Sequence, residues 1–156
     1  MIEISIPGFR DLRLEHLVLD YNGTLAVDGR LIPGVKDRLQ TLAKDLGVHV
    51  VTADTFGKVR SALGDSDCTV TILPAGDQAE AKREYVLGLG ADRTVCIGNG
   101  RNDRLMLHEA ALGIAVILPE GAFAGSLTAA DVVCTGIAEA LDLLKNPLRL
   151  TATLRS

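Results

Sequence analysis

The sequence predicts an α/β fold in which a parallel, Rossmann-like sheet lies between two layers of helices. Short runs of β-branched and apolar residues alternate with longer stretches in which apolar residues recur every three or four positions. Crossovers of that size join parallel strands. Aromatic residues make up 3% of the chain and Trp is absent. The core must therefore come from Val, Leu, Ile and Ala, which is the composition of sheets buried on both faces.

The predicted strands and helices alternate along most of the chain. The strands are expected at His16–Asp20, Val48–Thr52, Thr69–Leu73, Thr94–Ile97, Gly113–Leu118 and Asp131–Cys134. The helices are expected at Val35–Leu46, Phe56–Leu63, Gln78–Leu89, Asn102–Ala111 and Ile137–Leu144. The terminal segments Met1–Ile6 and Leu148–Leu154 alternate apolar and polar residues, which fits edge strands or the arms of an oligomer.

A small β-flap is predicted between Gly23 and Pro33. Two short apolar runs flank Asp28-Gly29 there, a dipeptide typical of hairpin turns. No linker, repeat or low-complexity segment divides the 156 residues, a length that suits one core. We therefore expect a single domain over residues 1–156.

Composition and charge exclude several classes of function. The net charge of -4 comes from both signs scattered along the chain, so we expect no nucleic-acid partner. The cysteines lack metal-type spacing and are interpreted as reduced core thiols. Met1–Gly8 does not resemble a signal peptide, and the longest apolar run, Ala110–Pro119, is roughly half a membrane span. We expect no membrane contact and a cytoplasmic location.

Polar residues follow the predicted strands at their carboxyl ends, where open α/β sheets bind ligands. The segments are Asp20-Tyr21-Asn22-Gly23-Thr24-Leu25, Thr52-Ala53-Asp54 and Gly98-Asn99-Gly100-Arg101-Asn102-Asp103, with Lys82 on the helix before the last of them. A carboxylate that attacks phosphorus needs a cation to relieve charge repulsion and donors for the equatorial oxygens. These segments offer both, so the sequence predicts a phosphoryl-transfer site.

Each candidate residue has an expected role in that chemistry. We expect Asp20 to attack phosphorus while a Mg²⁺ ion bridges it to the phosphate. The Thr52 hydroxyl and nearby amides, including that of Ala53, would bind the phosphate oxygens. Lys82 would neutralise charge, and Asp103 would help to hold the metal.

Some of these assignments have alternatives in the sequence. Asp20 followed by Asn-Gly also fits an ordinary turn. A Lys on an amphipathic helix usually belongs to its solvated face, so Lys58 and Arg83 compete with Lys82 for the role of phosphate ligand. Asp54 is interpreted as the N-cap of the helix that follows it.

Taken in order, DYNGTL, VTADT, a helical Lys and IGNGRND resemble the four motifs of the haloacid dehalogenase superfamily of phosphohydrolases. Within that superfamily, the chain is most similar to the phosphorylation domain of P-type ATPases. It resembles the soluble relatives of those pumps that have no cap domain. The resemblance implies that Asp20 forms a phosphoaspartate and that Thr52 and Lys82 bind phosphate. It also implies that the loop carrying Asn99 and Asp103 holds the metal.

The chain departs from the motifs at Asn22, where most phosphatases of the superfamily carry a second Asp as general acid and base. An amide has no proton to exchange near neutral pH. Losing that proton transfer costs about 10²–10⁴ in rate, so alkyl phosphates should react slowly while better leaving groups suffer less. The Asn22 backbone carbonyl remains an expected metal ligand beside Asp20, and Gly23 lets the backbone approach the phosphate.

Asn99 is a second departure, because the superfamily usually has a metal-binding Asp there. The amide keeps an oxygen ligand but removes a negative charge, so we expect weaker Mg²⁺ binding. The intervals between the motifs also leave no room for a cap domain. The site should be open, with selection by the flap, an oligomer neighbour or a large partner.

The leading hypothesis is a Mg²⁺-dependent phosphatase that acts through an aspartyl-phosphate on Asp20, on a small phosphorylated substrate or a phosphoprotein. Its activity is expected to be low because of Asn22 and Asn99. The alternative is an inactive relative that binds a phosphorylated ligand or partner without turnover. A third hypothesis is a structural module that forms homo-oligomers through its terminal arms.

Overall fold

The computed structural model describes residues 1–54 and 57–156. These residues form ten strands and seven α-helices. The strands are β1 (Ile2–Ile6), β2 (Arg10–Leu14), β3 (His16–Leu19), β4 (Ala26–Val27), β5 (Arg30–Leu31), β6 (Gly47–Thr52), β7 (Cys68–Ile72), β8 (Thr94–Gly98), β9 (Leu112–Val116) and β10 (Val132–Cys134). The helices are α1 (Val35–Leu42), α2 (Val59–Leu63), α3 (Gln78–Leu89), α4 (Arg104–Glu109), α5 (Ala124–Ala129), α6 (Ile137–Lys145) and α7 (Pro147–Leu154).

The central sheet has six strands in the order β10-β9-β8-β3-β6-β7, and all of its pairs are parallel. One buried cluster packs α1, α2 and α6 against one face of the sheet. A second cluster, which includes Val18, Val86 and Met106, packs α3 and α4 against the other face. The predicted three-layer α/β fold is therefore confirmed.

The strand predictions agree with the structure to within two residues at each end. The helix predicted at Gln78–Leu89 is found with those bounds, whereas the one predicted at Val35–Leu46 ends at Leu42. Phe56, where a helix was expected to begin, lies outside the described residues, and that helix starts at Val59 in the structure. The predicted Asn102–Ala111 helix is a 3-10 turn followed by α4.

The β-flap is confirmed as the antiparallel pair β4 and β5. Its turn residues Asp28 and Gly29 have φ values of 51° and 73°, the left-handed conformation that a two-residue hairpin requires. The Tyr21 hydroxyl donates to the Gly29 carbonyl at 3.3 Å and ties the flap to the end of β3. In the described part of the chain, no further domain is inserted beside the flap.

The two terminal segments have different structures. Met1–Ile6 contains the edge strand that was one of its two interpretations, since β1 pairs with β2 in a hairpin. The strand interpretation of Leu148–Leu154 is wrong, because this segment lies in α7. Pro147 occupies the first turn of that helix, where its missing N–H costs nothing, and Leu150 is buried. Helix α5 was not predicted at all.

Cys96 is buried in the core and the other two cysteines are half-buried, all three as free thiols. Among the residues that the structure describes, we find no helix with the length and apolar character needed to span a bilayer.

Candidate active site

The sheet order brings three of the predicted motifs to one edge. β3 lies between β8 and β6, and its Leu19 is level with Ile97 on one side and Val50 on the other. Connections run outward from β3 in one direction through β6 and in the other through β8, which makes this edge a topological switch point. The residues after these strands therefore meet at the same place.

A small cavity of about 140 Å³ lies at this edge. Its walls contain most of the predicted site residues together with two, Gln78 and Asn102, that the sequence analysis did not single out. The lining consists of Asp20, Asn22, Thr52, Ala53, Gln78, Asn99, Gly100 and Asn102.

Lys82 links the helical layer to this edge. Its Nζ donates to Asp20 Oδ1 at 2.6 Å and to Asp103 Oδ1 at 2.7 Å, and its side chain is fully buried. The two competing cations lie elsewhere: Arg83 pairs with Glu80 and Glu109 on the surface, and Lys58 is exposed. Lys82 is therefore the cation that the fold brings to Asp20.

Asp103 holds the loop after β8 in shape. Its Oδ2 accepts the backbone N–H groups of Asn99 at 3.0 Å and Gly100 at 2.8 Å, while its Oδ1 accepts from Lys82. Gly98 makes this possible, because a Cβ there would lie 2.6 Å from Asp103 Cγ. Asp103 is fully buried and is not among the cavity-lining residues. These contacts favour a positioning role over the direct metal contact that the sequence suggested.

Asn99 and Asp20 are bridged by a residue that the sequence analysis passed over. The Thr24 hydroxyl lies 3.3 Å from Asp20 Oδ2 and 3.2 Å from Asn99 Oδ1. The Asn99 amide nitrogen donates to the Gly121 carbonyl at 3.0 Å, which directs Oδ1 toward Thr24. Gly23 has a φ of 78°, and a Cβ there would overlap the Asn99 side chain. The approach of the two loops thus requires glycine at this position.

Asn22 contributes an unusual acceptor. Its Oδ1 is buried, and no described residue donates a hydrogen bond to it. Leaving a buried acceptor unpaired costs about 1–3 kcal/mol. Because Asn22 lines the cavity, a ligand or water bound there could satisfy this oxygen.

Thr52 is the last residue of β6, and Asp54 follows the strand. The Thr52 hydroxyl accepts from the Asp54 backbone N–H at 3.1 Å, so its own proton is free to be donated. Asp54 Oδ1 accepts from the backbone N–H groups of Lys58 at 3.0 Å and Val59 at 3.3 Å. The interpretation of Asp54 as the helix N-cap is wrong, because α2 begins at Val59 and its N-cap is Lys58. Asp54 instead holds the backbone that leads into the helix, and Thr52 and Ala53 line the cavity with Asp20.

The charges at this edge do not balance. Burial, the largest cause, and the nearby Asp103 charge together raise the pKa of Asp20 to about 6, although Lys82 acts in the opposite direction. Burial disfavours the charged form of Lys82, but the two carboxylates outweigh it and raise the pKa of its ammonium group. Two carboxylates and one ammonium leave a net charge of −1 when all are ionised. A divalent cation would reverse that sign before an anionic substrate arrives.

The donor set fits a hard cation. The cavity presents a carboxylate at Asp20 and amide oxygens at Asn22 and Asn99, which are the oxygen ligands that Mg²⁺ takes. The orphaned Asn22 Oδ1 is consistent with a bound hydrated ion. Across residues 1–54 and 57–156, no cluster of three or more Asp, Glu, His or Cys side chains forms an all-acidic metal centre.

Sequence reasoning missed Thr24, Gln78 and Asn102 as site residues. Thr24 lies four residues after Asp20, and Asn102 lies one residue before Asp103. Both are within the quoted motifs, and that position was the signal that could have identified them. Gln78 had no such signal. It reaches the cavity because α3 packs against the 3-10 turn at Arg101–Asp103, where the Asn102 amide donates to Gln78 Oε1 at 3.0 Å.

No model of a known protein family matches the chain. Two uncharacterised proteins of Methanocaldococcus jannaschii are similar in sequence. MJ0073 is 49% identical over 63 residues, which is 40% of this chain and 68% of that protein. MJ0072 is 44% identical over 39 residues, which is 25% of this chain and 89% of that protein.

Solved structures share the fold at lower identity. The cobalt-bound deoxy-D-mannose-octulosonate 8-phosphate phosphatase of Haemophilus influenzae superposes with a TM-score of 0.68 and 16% identity, over 92% of this chain and 94% of that one. The corresponding Moraxella catarrhalis phosphatase, in complex with magnesium, phosphate and its sugar acid, superposes with a TM-score of 0.64 and 20% identity, over 91% of this chain and 94% of that one. A Legionella pneumophila protein assigned to HAD subfamily III A superposes with a TM-score of 0.67 and 21% identity, over 90% of this chain and 88% of that one.

Proposed function

We propose that this chain, which belongs to the same family as MJ0073 and MJ0072 and has the haloacid dehalogenase fold, is a phosphatase that requires a divalent cation. In this proposal, Asp20 accepts the phosphoryl group of the substrate. The observation that carries it is the position of Asp20. A nearly buried carboxylate lies at the mouth of a parallel sheet, against a fully buried Lys82 and on the wall of a cavity of phosphate size.

The two oxygens of Asp20 have different surroundings. Oδ1 is held by Lys82 at 2.6 Å, whereas Oδ2 has a single long contact with the Thr24 hydroxyl at 3.3 Å. Oδ2 is therefore the oxygen that is available to attack. Lys82, fixed by Asp103, orients the carboxylate and offsets the charge of the incoming phosphate. Thr52 and the Ala53 amide donate to the phosphoryl oxygens.

The reaction proposed is a double displacement. An oxygen–phosphorus bond forms between Asp20 and the substrate phosphoryl group while the bond from phosphorus to the leaving oxygen breaks. A water molecule then attacks phosphorus, which releases inorganic phosphate and restores Asp20. The leaving oxygen takes its proton from water, because the Asn22 amide has none to give.

The cation is proposed to be Mg²⁺, which would supply positive charge at the phosphoryl oxygens. Asp20, the Asn22 backbone carbonyl and Asn99 would hold it. With one carboxylate among these ligands, we expect weaker binding than in a site with two or three.

Removing the nucleophile tests the proposal. Asp20→Asn should reduce Mg²⁺-dependent release of 4-nitrophenol and of phosphate from acetyl phosphate by at least about 10³-fold, because the amide cannot form the aspartyl-phosphate. Asp65→Asn is the matched control, since Asp65 is highly exposed beyond α2 and should keep full activity. Undiminished turnover in the Asp20 variant would rule this mechanism out.

A second candidate function is supported by the two amides. With Asn22 and Asn99 in place of acidic residues, the same cavity could bind a phosphorylated ligand without turning it over. Calorimetry that shows binding of phosphate esters, together with no Mg²⁺-dependent turnover across a broad panel of them, would favour this candidate over the phosphatase.

A further inference from the structure

A larger groove adjoins the cavity beside Asp20. Its volume of about 630 Å³ lies within the range of small-molecule binding sites. The groove and the cavity share two lining residues, Gln78 and Asn102, whose side-chain amides are hydrogen-bonded to each other at 3.0 Å. This amide pair therefore forms the boundary between the two spaces.

The cavity alone is too small for a whole phosphate ester. Its volume of about 140 Å³ is that of roughly five water molecules, enough for a phosphoryl group and little more. Anything attached to that group must extend out of the cavity, and the groove across the Gln78–Asn102 pair can receive it. The groove is thus placed to bind a leaving group.

The groove carries two arginines without partners. Arg101 and Arg104 both line it and both are exposed, and neither makes a hydrogen bond through its side chain or an ion pair with any described residue. Five arginines form ion pairs elsewhere, among them Arg38 with Asp142 and Arg83 with Glu109. Other exposed arginines also lack a partner among the described residues, but Arg101 and Arg104 are the two that line this groove. Two unpaired guanidinium groups in one groove form a site for an anion.

The loop that carries these arginines is anchored. Asp103 holds its backbone amides, and the Ser126 hydroxyl donates to the Gly100 carbonyl at 2.7 Å. Asp77 also lines the groove, but its Oδ1 accepts the Glu80 backbone N–H as the N-cap of α3. The groove therefore has a basic wall on a fixed backbone, with one carboxylate committed to a helix cap.

We propose that the natural substrate carries a second anionic group, a carboxylate or a second phosphate, and that Arg101 and Arg104 bind it in this groove. The inference rests on the proposed phosphatase function and specifies its substrate class. The two arginines are specificity-determining residues, because they contact the part of the substrate that does not react.

A matched pair of esters tests this. We would measure kcat/KM for 4-carboxyphenyl phosphate and for its neutral analogue 4-carbamoylphenyl phosphate, using the wild type, an Arg101→Gln/Arg104→Gln double variant and Arg155→Gln as a remote control. The wild type and the control should prefer the acidic ester by about 10-fold, and the double variant should lose that preference while still turning over the neutral ester. Repeating the measurement with an aryl bisphosphate in place of 4-carboxyphenyl phosphate shows whether the two arginines prefer a phosphate or a carboxylate.

Binding is measured in parallel by calorimetry with the Asp20→Asn variant, which does not consume the esters. Tighter binding of the acidic ester that disappears with the two arginines supports the groove site even if no ester is hydrolysed, and in that case the phosphatase proposal alone fails. Equal kcat/KM and equal binding of the two esters by the wild-type groove would overturn the inference and leave the phosphatase proposal intact.

Discussion

Restoring the missing acid at position 22 should convert the chain into a faster phosphatase for poor leaving groups. The change is Asn22→Asp, which is nearly isosteric and places a carboxyl group on the cavity wall. The substitution replaces the amide nitrogen with oxygen and keeps Oδ1, which is buried and unpaired among the described residues.

The size of the effect follows from the surroundings. Positioned general acid–base catalysis contributes about 10²–10⁴ in rate, or about 3–5 kcal/mol of barrier. The net charge of −1 from Asp20, Asp103 and Lys82 disfavours ionisation of a further carboxyl group, whereas a bound divalent cation acts in the opposite direction until the anionic substrate arrives. We expect about a 100-fold gain, at the lower end of that range, because the surroundings of the site are not adapted to the acid.

The assay compares phosphate release from β-glycerol phosphate with that from 4-nitrophenyl phosphate. The gain should be about 100-fold for the alkyl ester and less than about 10-fold for the aryl ester, whose leaving group needs little proton assistance. Asn102→Asp adds the same charge elsewhere on the cavity lining and should give no selective gain. An equal change for both esters, or no change for the alkyl ester, would refute the reasoning.

Further predictions concern the metal, the buried cation and the loop after β8. Asn99→Asp should lower the Kd for Mg²⁺ about 10-fold, measured as Mg²⁺-dependent stabilisation, because it adds a charged oxygen ligand; an unchanged Kd would argue against Asn99 as a ligand. Lys82→Met should lower the free energy of unfolding by about 3–5 kcal/mol in urea titrations, since it leaves two buried carboxylates unpaired. A loss below about 1 kcal/mol would contradict that ion-pair arrangement. Gly98→Ala should cost about 1–3 kcal/mol because its Cβ would lie 2.6 Å from Asp103 Cγ. Gly88→Ala on α3 should instead gain about 0.5–1 kcal/mol, because a Cβ there meets no atom within 4 Å.

The central sheet could be predicted because its strands are buried on both faces and appear as short apolar runs. The C-terminal helix could not be predicted by the same rule. Leu148, Leu150, Ala152 and Leu154 alternate with polar residues, which resembles a strand. The helix buries Leu150 and half-buries Pro147, Thr151 and Leu154, a spacing of three and four residues, and leaves Leu148 83% exposed. Packing against β1 and α6 decided between the two patterns.

The candidate site was predictable where residue type alone fixes the chemistry. Asp20, Thr52 and Asn99 lie at the carboxyl ends of adjacent parallel strands, so their proximity follows from the strand order. The partners of Asp103 could not be read from the sequence, because a carboxylate four residues after Asn99 can face either the cavity or the backbone amides. The structure shows it bonded to the amides and to Lys82.

A structure determined after soaking with Mg²⁺ and beryllium fluoride tests the central claim most directly. Beryllium fluoride mimics a phosphoryl group on a carboxylate. The account predicts a tetrahedral beryllium bonded to Asp20 Oδ2, with Thr52 beside its fluorides and Lys82 still on Oδ1. Beryllium fluoride that binds elsewhere, or that leaves Asp20 unmodified at saturating concentrations, would contradict Asp20 as the phosphoryl acceptor.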